Sequence, residues 1–213
     1  MWLGRGTPRD DKVLAPDDAQ ALLGGQVVVE EKLDGANVGF SLSQKGQLQV
    51  QNRGQYLERP FSGQFSRMNQ WLAAHEEGLQ GALGGNLIAF GEWCAARHSL
   101  DYVSLPDWWL NFDVYDRKEK IFWSSIRRNS WAKSVGVAST PCLDAGMSSI
   151  GRLQRMLSDS TSRYRPGSME GLVIRKEDKV QLLARAKLVN ATFTQSIETH
   201  WRRRELEWNR LAY

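Results

Sequence analysis

Residues 27–37 of the chain read VVVEEKLDGAN, and this stretch decides the fold prediction. The three valines predict a buried β-strand that runs on into Glu30 and Glu31. Lys32 follows at once, which is unusual because lysine is rarely buried without a partner. The next three residues, Leu-Asp-Gly, favour a turn in which Gly35 lets the backbone approach a ligand closely. The stretch therefore indicates either a strand that presents a lysine to a ligand or a plain turn beside an exposed lysine.

A lysine amine is a nucleophile only when it has lost its proton. Its reference pKa of about 10.4 must fall by roughly 2–3 units for activity near neutral pH, at about 1.4 kcal/mol per unit. Neighbouring cations, including a bound metal ion, and partial desolvation lower such a pKa. A nucleophilic role for Lys32 therefore requires neighbours of that kind.

Strands and helices are interspersed along the rest of the chain. Strands are predicted at 37–42, 47–51, 87–90, 109–115, 172–174 and 180–183, and helices at 65–79, at 147–157 and from Thr192 onward. This order favours an α+β fold with mostly antiparallel sheets. With no repeat or low-complexity linker, we expect a single domain over residues 1–213, with a motif core at about 27–190 and a helical tail at 191–213.

The bulk composition is that of an ordinary globular chain of 213 residues with a net charge of +4. The sequence contains no apolar run of about 18 residues, no signal peptide at its start and no metal-like cysteine spacing, so a cytoplasmic setting is expected. Residues 151–213 hold 13 Lys and Arg against 7 Asp and Glu, a balance of +6, whereas residues 1–150 balance at −2. The basic final third indicates either a polyanionic partner or a solvated basic helix.

Three further residues with binding chemistry lie within or beside predicted strands. Arg53 could contact a phosphate with its planar guanidinium group. Glu92, one residue past Gly91, could hold a ribose hydroxyl or a metal-bound water, and Phe112 offers a flat face to a purine. Each has a plainer interpretation, as a hairpin-edge arginine, a surface glutamate and a core phenylalanine respectively.

The last set of candidate residues lies around the predicted strands 172–174 and 180–183. Glu170, at the start of the first of these strands, could hold the divalent metal ion that phosphate chemistry requires. Arg185 and Lys187 are two residues apart, so on a strand they share one face and could reach the same triphosphate. The alternative is a solvated strand face.

Taken in this order, the segments resemble the covalent nucleotidyltransferase superfamily of ATP-dependent ligases and RNA-capping enzymes, over about residues 30–190. Two features are similar to the ATP-dependent RNA ligase family, and in particular to its double-strand-sealing phage-type members. One is Asn37, five residues after the lysine, where DNA ligases typically have arginine. The other is GEWCAARHSLDY at 91–102, followed by FDVYD at 112–116.

The resemblance implies a role in nucleotide binding for four residues. Lys32 matches the lysine that becomes linked to AMP, and Glu31 matches the residue whose vicinity recognises the adenine edge. Glu92 matches the glutamate on the ribose. Phe112 matches the aromatic residue that stacks on adenine, with Trp108 and Trp109 as substitutes.

The resemblance also implies roles at the phosphates and the metal ion. Arg53 matches a phosphate-contacting arginine, and Glu170 matches a metal-linked glutamate. Asn37 matches an asparagine that contacts a metal-bound water and serves the later chemical steps. Arg185 and Lys187 match two cations that are usually both lysine, so Arg185 departs from the family in the geometry of its charge.

The implied fold is the nucleotidyltransferase fold, with an ATP pocket between antiparallel sheets flanked by helices and no appended oligonucleotide-binding barrel. The implied cofactors are ATP and Mg²⁺ or Mn²⁺. The implied partner is RNA with 5′-phosphate and 3′-hydroxyl ends, for which a nicked duplex is one form, with neither a membrane nor an obligate protein partner. The alternatives are a DNA ligase, a capping-type nucleotidyltransferase, and a non-catalytic relative that binds nucleotide or nucleic acid.

Overall fold

The computed structural model describes residues 13–190 and 206–212, which belong to two compact units. In described residues, the first unit comprises 13–33, 140–178 and 182–190, and the second comprises 34–139, 179–181 and 206–212. The chain passes from the first unit to the second directly after Leu33. The single domain expected over residues 1–213 stays a prediction.

The described residues contain four α-helices, eleven strands and one short 3-10 turn. In chain order they are α1 (Pro16–Leu23), β1 (Gln26–Lys32), β2 (Ala36–Leu42), β3 (Leu48–Gln51), β4 (Tyr56–Leu57), the 3-10 turn (Gly63–Phe65), α2 (Met68–Leu83), β5 (Leu87–Trp93), β6 (Trp109–Asp116), β7 (Ile121–Phe122), α3 (Ser125–Val135), β8 (Ala138–Ser139), β9 (Cys142–Met147), α4 (Ile150–Asp159), β10 (Gly171–Glu177) and β11 (Leu182–Val189). No helix in the described part of the chain is long and apolar enough to cross a membrane.

The first unit is built on a four-stranded antiparallel sheet in the order β11-β10-β1-β9. Successive side chains on a strand point to opposite faces, so Val27, Val29 and Glu31 of β1 share one face. The apolar core on that face also takes side chains from α1 and α4, and its buried members are Leu22, Val27, Val29, Leu153, Leu157, Met169, Leu172, Ile174 and Leu188. Lys32 consequently lies on the opposite face.

The second unit is built on a seven-stranded sheet with the path β4-β3-β2-β5-β6-β7, in which β8 pairs with β6. Every pair is antiparallel except β6 with β8, in agreement with the predicted fold class. Its core is aromatic: Phe40 stacks on Trp71 at 5.5 Å and meets the edge of Trp109 at 4.9 Å. Trp109 is fully buried and donates from Nε1 to the carbonyl of Val38, so it is not available to stack on adenine.

Capping residues explain why the helices differ in position from the predicted ones. The helix predicted at 147–157 is α4, and it begins later because β9 takes the residues up to Met147 and the Ser149 hydroxyl accepts a hydrogen bond from the N–H of Arg152. The helix predicted at 65–79 is α2, which runs on until Gly84 adopts a left-handed conformation. Helices α1 and α3 and strand β9 were not predicted. The sequence of α3 has only a weak apolar face, so its pattern does not indicate a helix.

The tail helix predicted from Thr192 onward is wrong where the structure describes it. Residues 191–205 lie outside the described residues. Residues 206–212 are not helical, and they form isolated bridges from Trp208 to Ala96 and from Leu211 to Leu105. The backbone of this segment bonds to a loop of the second unit and not to itself, because the loop offers it a row of donors and acceptors.

Candidate active site

Lys32 and Glu170 meet in the first unit although 138 residues separate them along the chain. Lys32 Nζ donates a hydrogen bond to Glu170 Oε1, and the two side chains form an ion pair. The sheet register causes this contact, since Lys32 ends β1 opposite Gly171, and Glu170 directly precedes that glycine. The Lys32 side chain is 23% exposed and that of Glu170 is 8% exposed. The predicted nucleophile and the predicted metal-binding carboxylate are therefore neighbours.

Arg185 and Lys187 share the face of the first-unit sheet on which Lys32 lies. Through β10, Lys187 is in register with Glu30 and Arg185 is in register with Val28. Side chains in register across antiparallel strands point to the same face, and Glu30 and Lys32 are two residues apart. Arg185 and Lys187 are exposed. The sheet thus presents one amine and two further cations on the side away from its apolar core.

A buried ion-pair network that the sequence analysis missed supports this face. Arg175 is 1% exposed, and its guanidinium group lies 3.1 Å from Glu177 Oε2 and 3.9 Å from Glu30 Oε2. Arg175 is also in register with Arg185. Arg175 directly precedes the charged run Lys176, Glu177 and Asp178, so the local sequence favours an exposed position. Only the pairing with β1 shows that this arginine is buried. A buried charge that is paired on two sides holds its neighbours in place.

Glu31 lies on the opposite face of β1 and is almost completely buried, with 1% exposure. Burial raises the pKa of its carboxyl group, while hydrogen bonds from the Ser162 side chain and the Arg163 backbone act in the other direction. Oε2 accepts a hydrogen bond of 2.9 Å from the N–H of Arg163. Among the described residues, Oε1 has no hydrogen-bond partner. A buried acceptor of this kind fits an N–H donor on a ligand, such as the amino group of a purine.

In the second unit, the structure gives Asp34 and Gly35 specific partners. Asp34 Oδ2 accepts hydrogen bonds of 2.7 Å from the N–H groups of Ser99 and Leu100. The N–H of Asp34 donates to the hydroxyl of Tyr102 at 2.8 Å. Position 35 must be glycine because a Cβ there would lie 2.5 Å from the Trp93 carbonyl oxygen. The Asp-Gly pair after Lys32 therefore anchors the chain to the loop at 94–105.

Asn37 and Glu92 lie directly opposite each other in the register of β2 and β5. Their neighbours Val38 and Trp93 point into the aromatic core, so Asn37 and Glu92 lie on the other face of the sheet. Glu92 Oε1 accepts a hydrogen bond of 3.0 Å from the N–H of Gly35. The structure thus brings together two of the predicted site residues in the second unit and holds one of them by the backbone that follows Lys32.

Phe112 occupies a β-bulge in β6. The register with β5 shifts between Phe90 and Gly91, and the shift leaves one extra residue in β6 between Asn111 and Asp113. The Phe112 carbonyl accepts a hydrogen bond of 2.6 Å from Arg128, which is completely buried. Phe112 itself is half-buried. It is therefore held by its backbone while part of its side chain stays accessible, unlike the buried Trp109.

The remaining predicted residues are placed differently. Arg53 lies in the exposed turn between β3 and β4, and its contact with phosphate stays a prediction. His98 Nε2 lies 2.8 Å from Gln64 Oε1, and burial lowers the pKa of this histidine, opposed by the Asp34 carboxylate. Trp108 lies against the Arg67 guanidinium group at 4.8 Å. His98 thus contacts the Gln64 side chain, and Tyr102 is an anchor of Asp34.

Comparison with known proteins identifies the family. A family model described as RNA ligase matches residues 25–189. Among solved structures, a Naegleria gruberi RNA ligase with pyrophosphate is 22% identical with a TM-score of 0.66, covering 86% of this chain and 55% of that chain. A variant of that ligase with ATP and Mn is 19% identical with a TM-score of 0.63, covering 86% of this chain and 54% of that chain. Another variant, with AMP and Mn, is 21% identical with a TM-score of 0.62, covering 88% of this chain and 55% of that chain. No curated protein matches the chain.

These comparisons confirm the predicted fold, because the mixed α/β architecture with antiparallel sheets is that of the matched structures. The chain spans a little over half the length of the Naegleria gruberi structures it matches. The narrower resemblance to double-strand-sealing phage-type ligases stays a prediction.

Proposed function

Since the chain belongs to the RNA ligase family, we propose that it is an ATP-dependent ligase that carries AMP on Lys32 and uses it to join RNA ends. The observation that carries this proposal is the pairing of Lys32 with Glu170 on the sheet face that also bears Arg185 and Lys187. An amine beside two cations and a carboxylate is suited to attack on a triphosphate.

In the first step, Lys32 Nζ attacks the α-phosphorus of ATP. The N–P bond forms while the bond from the α-phosphorus to the pyrophosphate oxygen breaks, and pyrophosphate leaves. Lys32 must first release a proton to solvent and leave its ion pair with Glu170. Arg185 and Lys187 balance the negative charge of the triphosphate as the leaving group departs.

Three residues are proposed to bind the adenosine. The buried Oε1 of Glu31 has no hydrogen-bond partner among the described residues. It is proposed to accept a hydrogen bond from the amino group of adenine. Phe112 stacks on the base, supported by the bulge that fixes its backbone. Glu92 binds the ribose, in keeping with its family role.

Glu170 is the residue proposed to hold a divalent metal ion. In the described residues, no group of three His, Cys, Asp or Glu side chains could hold a metal ion. Magnesium is commonly held by one or two carboxylates together with phosphates and water, so a single buried glutamate fits this chemistry. Bound there, the ion supplies charge neutralisation at the phosphates. The presence of Mn with ATP in a Naegleria gruberi ligase structure supports a divalent metal ion as the cofactor.

The later steps follow from the same family. A 5′-phosphate oxygen attacks the lysyl-AMP phosphorus, the N–P bond breaks, and Lys32 takes up a proton. The 3′-hydroxyl oxygen then attacks the 5′-phosphorus and loses its proton to solvent. The new O–P bond forms while the bond from that phosphorus to AMP breaks, and AMP leaves. Asn37 is proposed to serve these steps and would help to hold the metal ion through a water, and Arg53 is proposed to contact phosphate.

Intact mass after incubation with ATP and Mg²⁺ or Mn²⁺ tests the central claim. The parent protein is expected to gain the mass of one AMP, and Lys32→Ala is expected to gain none. Lys45→Ala is the matched control, because Lys45 lies exposed in the turn between β2 and β3 and its removal should leave the adduct in place. An adduct on the Lys32→Ala protein would refute the assignment.

Two further experiments distinguish an RNA ligase from a capping-type enzyme and from a DNA ligase. GTP in place of ATP tests a capping-type enzyme, and labelled nicked duplexes with RNA or DNA at the 3′-hydroxyl side test a DNA ligase. The proposal requires ATP to form the adduct and RNA ends to be sealed. A parent protein that gains no AMP would indicate a non-catalytic relative.

A further inference from the structure

The 206–212 segment is bound to the loop at 94–105 of the second unit from Glu207 to Ala212. Five main-chain hydrogen bonds of 2.8–3.0 Å span the contact. The segment donates three of them, from Asn209 N to Ala95 O, from Arg210 N to Tyr102 O and from Ala212 N to Leu105 O. The loop donates the other two, from Arg97 N to Glu207 O and from Leu105 N to Arg210 O. The segment therefore serves as an extended brace for this loop.

Asn209 is the side chain at the centre of the brace, and it is 4% exposed. Its Nδ2 donates to the carbonyls of Cys94 at 2.7 Å and Ala96 at 3.3 Å. Its Oδ1 accepts a hydrogen bond of 2.8 Å from the N–H of Tyr102. One buried amide therefore connects Cys94, at the start of the loop, with Tyr102, which follows it by eight residues.

Tyr102 continues the connection toward Lys32. Its hydroxyl accepts a hydrogen bond from the N–H of Asp34, and the Asp34 carboxylate accepts two more from the loop between Ala96 and Tyr102. Asp34 follows Lys32 by two residues. A chain of hydrogen bonds thus runs from Asn209 through Tyr102 to the segment that carries the proposed nucleophile.

We propose that Asn209 is a positioning residue for adenylylation: it holds Tyr102, and through it Asp34, so that the backbone after Lys32 keeps one conformation. The proposal rests on the proposed function of Lys32. A nucleophile displaced by about 1 Å loses on the order of 100-fold in rate, so a loosened anchor should slow the attack without weakening ATP binding. Nothing in the local sequence around Lys32 requires this residue.

The test separates positioning from a merely structural role by single-turnover adenylylation of the full chain. We compare Asn209→Ala with the parent and measure the amplitude, the rate constant at saturating ATP and the apparent Kd for ATP. Positioning predicts a rate constant reduced by about tenfold or more with a Kd within about twofold. A structural role alone predicts a smaller amplitude with an unchanged rate constant, and that result would overturn the proposal.

Tyr102→Phe keeps the proposal testable if Asn209→Ala fails to fold. This variant retains the backbone N–H bonded to Asn209 but loses the hydroxyl that anchors Asp34. It should show the same slow adenylylation, and the double variant should be no slower than the slower single one, because both changes break one connection. An unchanged rate constant in Tyr102→Phe, or fully additive losses, would overturn the proposal.

Glu207→Gln is the control on the same segment. Its side chain is 57% exposed and pairs with Arg97 at the surface, so its loss should leave the rate constant unchanged. Hydrogen exchange at the amides of Ser99 and Leu100 provides a readout that needs no activity, and it should accelerate in Asn209→Ala and not in Glu207→Gln. Unchanged exchange in Asn209→Ala overturns the inference, whereas a parent protein that takes no AMP overturns the proposed function.

Discussion

At the scale of single residues, Glu31 shows most clearly what burial does to a site. It is the residue next to Lys32, yet it points to the other face of β1 and is 1% exposed. Burial raises the pKa of its carboxyl group above the ordinary value of 4.5. Such an acid costs the fold free energy when it is ionised, a cost that a ligand donor at Oε1 would reduce.

We predict that Glu31→Gln becomes more stable relative to the parent as the pH rises. With its pKa raised in the native state, Glu31 binds its proton more tightly there than in the unfolded chain. The parent therefore loses free energy of unfolding as pH rises from the ordinary carboxyl range through the raised pKa. The variant has no such group. Urea unfolding of both proteins between about pH 4 and about pH 7 checks this, and a pH-independent difference would contradict it.

Asn37 is a second single residue whose proposed role can be assigned to one step of the reaction. We predict that Asn37→Ala slows sealing of a pre-adenylylated RNA strand by about tenfold or more, while AMP attachment to Lys32 changes much less. The expectation rests on the role that the resemblance implies for Asn37 and on its place opposite Glu92. Both rates are measured on one preparation, so AMP attachment serves as the internal control. Equal losses in the two rates would count against this role.

At the scale of elements, β11 is the strand that carries the two cations proposed to contact the triphosphate. Its residues alternate between the apolar core, which receives Ala186 and Leu188, and the face of Lys32, which receives Arg185 and Lys187. Side chains alternate in this way on every strand. The proposed role of the face that bears Lys32 can therefore be tested by removing one positive charge from each side of the sheet.

Lys187→Ala should reduce the rate of AMP attachment by about 100-fold or more, because the variant loses the cation proposed to balance the charge of the departing pyrophosphate. Arg185→Lys should keep measurable activity, since the charge remains and only the guanidinium fork is lost. Lys176→Ala removes the same charge from β10, where alternation points Lys176 away from the face of Lys32, and should have little effect. An inactive Arg185→Lys protein would show that the planar fork is required.

At the scale of the whole molecule, charge is distributed unevenly. The balance of +6 in residues 151–213 includes Arg202, Arg203 and Arg204, which lie outside the described residues. A nucleic acid that contacts these side chains would release condensed counterions, and each contact adds about one unit to the salt dependence of binding. The sequence leaves open a solvated basic segment as the alternative.

We predict that changing Arg202, Arg203 and Arg204 together to Gln weakens RNA binding and makes it less dependent on salt, while AMP attachment to Lys32 is unchanged. A matched control removes three exposed positive charges elsewhere, by changing Arg117, Lys118 and Lys120 to Gln in the turn between β6 and β7. RNA affinity measured over a series of salt concentrations checks both proteins. Equal behaviour of the two triple variants would mean that only net charge matters.

The sequence by itself determined the strand that leads into Lys32, the antiparallel α+β class and the shared face of Arg185 and Lys187. These features depend on local patterns: an apolar run marks a buried strand, and residues two apart on a strand point the same way. Helix boundaries were less accurate because caps such as Ser149 and Gly84 decide them. The family followed from the order of the short segments, each of which is weak alone.

Only the tertiary structure decided which distant residues meet. The contact of Lys32 with Glu170 and the burial of Arg175 both depend on the register between β1 and β10, which local periodicity leaves open. The brace at 206–212 is bound by backbone groups, and a backbone donor looks the same at every residue of the sequence. Its place against Tyr102, and hence the part proposed for Asn209, therefore depends on how the folded chain satisfies its buried polar groups.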